Sequence, residues 1–148
     1  QADQFSILFF GLFAVFVEHI IQFHTAQNGH NSQIQQSSKA LTILDIAGTG
    51  KTFIQQTYDR CSRIVPQENI IVVTAEKYHD IVCEQLPQLS EENLLLEPYA
   101  RNTAPCIAYA TYKLLMRNPD AHVVVTPSDH AIDNEELFVE TILNAFGY

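Results

Sequence analysis

Apolar positions fall into two patterns along the chain, and the change comes near Ser38. The front holds one dense run, FSILFFGLFAVFV over 5–17, broken only by Ser6 and Gly11. Extended to Phe23 it reaches membrane-spanning length, since about twenty apolar residues are needed. Glu18, His19 and Gln22 interrupt it, and no Lys or Arg flanks it as a basic leader or a positive-inside anchor requires. The run therefore reads as a buried or interfacial helix, or as a hydrophobic segment foreign to the domain behind it. HTAQNGHNSQIQQSS (24–38) follows without periodicity and reads as a loop or linker.

From Leu41 onward, short solid apolar runs alternate with stretches of helical spacing. LTILDI (41–46), IIVV (70–73), Asn93–Leu96 and Val123–Val125 are the predicted strands. Their mainly apolar character, without polar alternation, fits parallel strands covered on both faces. Between them, Phe53, Tyr58, Cys61 and Ile64 predict a helix over 52–64 that Pro66 stops. Tyr78, Ile81, Val82 and Leu86 form the stripe of a second helix, with Thr74 as its cap. Thr103 caps a third over 104–116, with Pro105 in its first turn. Asp133 and Glu136 resemble a capping box before Leu137, Ile142 and Phe146. Four strands alternating with four helices predict an α/β domain, a mostly parallel sheet with helices on both faces. Its ligands should bind beyond the carboxyl ends of the strands, which singles out 47–51, 97–103 and 126–130.

Charge sharpens the division at Ser38. Residues 1–38 carry only Asp3 and Glu18, whereas 39–148 hold all eight basic residues and fifteen acidic ones. The expected organisation is an atypical hydrophobic segment plus polar linker (1–38) and one partial domain (39–148). A net charge of -9 argues against a nucleic-acid partner, because phosphate neutralisation needs a basic patch. Five Gly, six Pro and three Cys in 148 residues exclude collagen and disulfide scaffolds. Cys61, Cys83 and Cys106 lie among apolar neighbours and read as buried thiols in a reducing, cytoplasmic setting. His19, His24 and His30 have no recognised metal-ligand spacing and read as solvated.

Three segments carry candidate chemistry. Ala47-Gly48-Thr49-Gly50-Lys51-Thr52 invites comparison with the phosphate-cradling P-loop of NTPases, G-x-x-x-x-G-K-[ST]. Its first glycine position is Asp45, a carboxylate that repels phosphate, and the competing reading is a Gly-rich turn with Lys51 in solvent. Glu97-Pro98-Tyr99-Ala100-Arg101-Asn102-Thr103 joins a strand end to a helix start, where free N–H groups favour anions. Arg101 adds a bidentate fork and Asn102 a donor–acceptor pair; the competing reading is a helix cap with a surface arginine. Pro127-Ser128-Asp129-His130 follows the fourth strand, where Asp129 either holds Mg²⁺ or starts a turn.

Taken together, GTGKTFIQQTYDR (48–60), EPYARNTAPCIAYA (97–110) and VVVTPSDH (123–130) resemble the mannose-1-phosphate guanylyltransferases, or GDP-mannose pyrophosphorylases. IVPQENIIVVTAEKY (64–78) and CEQLP (83–87) extend the resemblance from about Leu41 to the end. It implies a Rossmann-like nucleotidyltransferase fold that uses Mg²⁺ to transfer GMP from GTP to mannose 1-phosphate, giving GDP-mannose and pyrophosphate. It also implies that Glu97, Arg101, Asn102 and Thr103 belong to a nucleotide-binding loop and that Asp129 ligates the metal. The family's G-T-G-[KR]-T-F is a pre-helix loop, which demotes the P-loop reading. Two departures follow. The family's G-G-x-G-x-R loop and Pro-Lys pair have no counterpart in SSKALTILDI (37–46), so no catalytic residue is assigned. Tyr148 also falls short of the family's sugar-binding half. The resemblance therefore implies impaired activity, with a P-loop-type NTPase and a non-catalytic interaction domain as alternatives. A homo-oligomer is left open.

Overall fold

The computed structural model describes residues 5–10, 49–97, 103–128 and 130–147, with backbone alone for 5–10 and Thr103. In chain order the elements are β1 (Phe5–Phe10), α1 (Phe53–Ser62), β2 (Ile70–Ala75), α2 (His79–Gln85), β3 (Leu94–Glu97), α3 (Thr103–Arg117), β4 (His122–Pro127) and α4 (Glu135–Phe146). The four strands form a sheet of order β3-β2-β1-β4, every pair parallel. This is the order of the first half of a doubly wound sheet, and the chain switches direction between β1 and β4.

The front apolar run takes a role that its composition left open. Over Phe5–Phe10 it is a strand rather than a helix, paired with β2 through Phe10 and Val73 and with β4 through Phe10 and Pro127. A strand between two neighbours in a parallel sheet is covered on both faces, which accounts for a run without polar alternation. The step in composition at Ser38 is thus no boundary of the sheet. The strand expected at 41–46 lies outside the described residues.

Alternate residues of the sheet feed two cores. Ile70, Val72 and Leu94 pack with Ile54, Tyr58 and Cys61 of α1 and Val82 of α2, and Val124 and Phe146 join them. Ile71, Val73 and Leu95 pack on the opposite face against Cys106, Ala110 and Leu114 of α3. Ile70, Val72 and Val73 are wholly buried, and each such side chain contributes roughly 1.5–3 kcal/mol.

Thr52 caps α1 through a capping box with Gln55, one residue inside the start read from spacing. Thr74, expected to cap the second helix, instead lies within β2, which stays paired through Ala75 and Glu97. Sheet pairing outcompetes the cap there: Glu76–Tyr78 form a single 3₁₀ turn and α2 keeps only seven residues. The cap of α4 is Asn134, whose side chain accepts from the Leu137 N–H, rather than Asp133.

Polar ties fix the layers. At the amino edge of the sheet, Asn93 donates to the Glu68 carbonyl (2.8 Å) and accepts from Arg117 at the end of α3 (3.0 Å). On the other face, α1 is held at both ends. Gln55 donates to the Gln85 carbonyl of α2 (3.0 Å), while Arg60 and Arg63 pair with Glu135 and Glu136 of α4. Arg60 is 2% exposed; its Nε stands 3.1 Å from Glu135 and its guanidinium 5.5 Å from the Phe138 ring centre. Removing it leaves an apolar-lined gap and leaves Glu135, at a half-open site, only its longer 3.8 Å contact with Arg63. Arg60→Ala should lower unfolding stability by about 2 kcal/mol, read as a denaturant midpoint shift. A change within experimental error would show that α4 is held by its apolar face alone.

Candidate nucleotide site at the carboxyl edge

Parallel pairing brings the carboxyl ends of all strands to one edge. Ala75 is level with Glu97, and Phe10 is level with both Val73 and Pro127. The 97–103 and 126–130 segments therefore leave the same edge, as expected, from its two outer strands. Three inter-strand spacings separate them, about 14 Å. A nucleotide laid across β2 and β1 would meet both.

Glu97 is the last residue of β3 and is half-buried. Its carboxylate accepts a hydrogen bond from the Cys106 thiol on the first turns of α3. Burial, then the Glu97 charge and that hydrogen bond, push the Cys106 thiol up to about 12, so it stays a neutral donor at physiological pH. Sequence reading placed Cys106 correctly in the core but missed this partnership; its only signal was the three-residue offset from the start of α3. Thr103 opens α3 by its backbone, and α3's free N–H groups face the same edge as Glu97. Arg101, Asn102 and Asp129 lie outside the described residues. Their described neighbours Thr103, Ser128 and His130 bracket them.

One residue beyond the last row that β1 shares with its neighbours stand Thr74 and Ser128. Both are buried, at 2% and 0% exposure, and neither hydroxyl finds a hydrogen-bond partner among the described residues. An unsatisfied buried hydroxyl costs about 1–3 kcal/mol, and such groups in a native fold call for an explanation. Here both sit where strand ends meet ligand in folds of this type. The Ser128 backbone is itself tied to α1, its carbonyl accepting from Thr57 Oγ1 at 3.5 Å. Among the described residues no group of three His, Cys, Asp or Glu side chains could hold a metal, and no helix is long and apolar enough to cross a membrane.

A Nucleotidyl transferase family model matches residues 35–145. The chain belongs to the nucleotidyl transferase family. Among curated relatives, mannose-1-phosphate guanylyltransferase 2 of Escherichia coli O157:H7 is 39% identical over 107 residues, 70% of this chain and 22% of the relative. The mannose-1-phosphate guanylyltransferase of Salmonella montevideo is 37% identical over 125 residues, 81% of this chain and 26% of the relative. The chain thus spans about a quarter of the length of these relatives. Among solved structures, one titled mannose-1-phosphate geranyltransferase, from Thermus thermophilus, superposes with TM-score 0.67 at 19% identity, covering 95% of this chain and 37% of that one. A structure titled mannose-6-phosphate isomerase, from Helicobacter pylori, gives 0.66 at 19%, covering 97% and 46%. At that identity the two structures establish the α/β fold shared with this chain.

The 49–52 turn is closed on itself. Gly50 takes a φ of 79°, the left-handed region that suits glycine. Gln56 donates to the Thr49 hydroxyl and to the Lys51 carbonyl (3.0 and 2.9 Å), and Thr52 is occupied as the α1 cap. Lys51 is exposed and paired with Asp59 at 2.6 Å; that hydrogen bond, then the Asp59 charge, raise its pKa. A P-loop lysine must be available to phosphate, whereas this one is engaged by its own helix. Lys51→Ala should leave GTP affinity unchanged within about twofold by calorimetry. A loss of tenfold or more would restore the P-loop reading.

Proposed function

We propose that this domain binds GTP at the carboxyl edge and takes part in transferring GMP to mannose 1-phosphate. One observation carries the reading: Glu97-Pro-Tyr-Ala-Arg-Asn-Thr103 and Pro127-Ser-Asp-His130 leave a nucleotidyl transferase sheet at the same edge. The names of the curated relatives support the choice of guanine nucleotide and sugar phosphate.

In this reading Glu97, held by the Cys106 thiol, offers a carboxylate to the donors of a base edge. Arg101, Asn102 and the N–H groups at the start of α3 hold phosphate oxygens. A phosphate oxygen of mannose 1-phosphate attacks the α-phosphorus of GTP, the bond to the β-phosphate bridge breaks, and pyrophosphate leaves. Atoms and charge are conserved, so the protein's work is alignment and charge stabilisation. Asp129 supplies one hard oxygen donor two residues past β4, which suits Mg²⁺, an ion that takes one or two carboxylates together with phosphates. When bound there, Mg²⁺ neutralises charge on the triphosphate.

Residues 11–38, which follow β1, contain neither Lys nor Arg and no Gly-Gly pair. The phosphate grip at the end of β1 is therefore weak, and a single missing donor to developing charge lowers turnover about a hundredfold or more. Low affinity for GTP and slow turnover are expected.

Calorimetric GTP titrations with and without Mg²⁺ test the reading. Wild type should bind about tenfold more tightly with Mg²⁺, because a bare carboxylate repels the triphosphate. Asp129→Asn should keep the fold and lose that dependence. Equal behaviour of wild type and variant would make Asp129 a turn residue, and absence of any GTP binding would leave the domain a non-catalytic module.

A further inference from the structure

Away from the carboxyl-edge residues, α2 and the segment after it enclose a cavity of about 280 Å³ lined by His79, Cys83, Leu86, Leu89, Glu91 and Leu94. Its apolar side is continuous with the core: Leu86 and Leu94 are buried and Leu89 packs against them. Its polar side carries a nucleophile and a base. His79 and Cys83 stand one helical turn apart, and the Cys83 sulfur lies 3.7 Å from His79 Nε2. The other ring nitrogen, Nδ1, lies 2.9 Å from the Asp80 carboxylate. A carboxylate only accepts, so Nδ1 carries the ring proton and Nε2 presents a lone pair to the thiol.

The three cysteines differ sharply in this respect. Cys61 and Cys106 are buried, and burial pushes both thiols up to about 12. Cys83, expected from sequence to be buried like the others, is exposed at the cavity mouth. An accessible thiol beside an oriented imidazole is the arrangement that activates sulfur for attack.

We propose that Cys83 is a modification site, primed by His79, for uncharged α,β-unsaturated carbonyl compounds bearing an apolar chain. His79 Nε2 takes the thiol proton while the sulfur forms a bond to the β-carbon. The π pair of the C=C bond moves to the α-carbon through the enolate, and the α-carbon then takes the proton back from His79. The product is a thioether; nothing leaves and no oxidant is needed. The chain of the electrophile packs on Leu86, Leu89 and Leu94, where each buried methylene adds about 0.8 kcal/mol, roughly fourfold in affinity. Glu91 on the wall and Asp80 beside the ring disfavour anionic reagents such as glutathione disulfide.

The test follows adducts of trans-2-octenal on the full chain at neutral pH, by intact mass and peptide mapping. Cys83 should react at least about tenfold faster in the folded chain than in the same chain unfolded in urea, with Cys61 and Cys106 unmodified in the folded chain. His79→Asn, an unforced change at a half-exposed position, should bring the folded rate down to the unfolded one. Acrolein, which has no chain, should show less of the folded-state advantage. Equal folded and unfolded rates, or a rate indifferent to His79→Asn, would overturn the proposal. Glutathione disulfide modifying Cys83 as readily as octenal does would overturn the assigned chemical class.

Discussion

Everything in this domain depends on the parallel pairing of β1 between β2 and β4. Parallel neighbours cannot be joined by a tight turn, so each link must run back along a face of the sheet, and helices do this with their backbone groups satisfied. Once α1, α2 and α4 cover one face and α3 the other, β2 is shielded from water on both sides. Only then is a solid apolar strand such as IIVV (70–73) stable inside a domain with net charge -9.

The same constraint creates the site. With the four described strands pointing one way, their carboxyl ends share an edge, and segments distant in sequence leave from it together. Glu97 and Ser128, thirty-one positions apart, end up flanking one strip of sheet that includes the end of β1. At this edge the buried Thr74 and Ser128 hydroxyls have no hydrogen-bond partner among the described residues. By contrast, the buried Arg60 pairs with Glu135 and lies over the Phe138 ring, because a guanidinium in the core without partners would be far costlier. Satisfied polar groups hold the layers, and the Thr74 and Ser128 hydroxyls lie at the edge where ligands bind in such folds.

Burial also divides chemistry among the cysteines. Low dielectric holds the thiols of Cys61 and Cys106 neutral, which fits one for packing and the other for donating to Glu97. On α2 the neighbouring Val82 faces the core while Cys83 lies outside that environment.

Local pattern alone determined the α/β class, the parallel sheet and three of the described strands to within two residues at each end, and it singled out the 97–103 and 127–130 segments as leaving the strand ends. Those features are local: apolar runs, helical spacing, Pro and Gly punctuation, and donor types next to strand ends. What the tertiary structure decided is non-local. That the front run is a strand depends on two neighbours 60 and more residues away, because a short solid apolar run suits a buried helix or a parallel strand equally. That Thr74 extends a ladder instead of capping a helix depends on Leu96 across from it. That Glu97 meets Cys106, and that Cys83 lies open while its two counterparts are buried, follow from how α3 and α2 settle on the sheet. No single-residue preference encodes that, since a cysteine carries the same hydrophobicity in the core and at its rim.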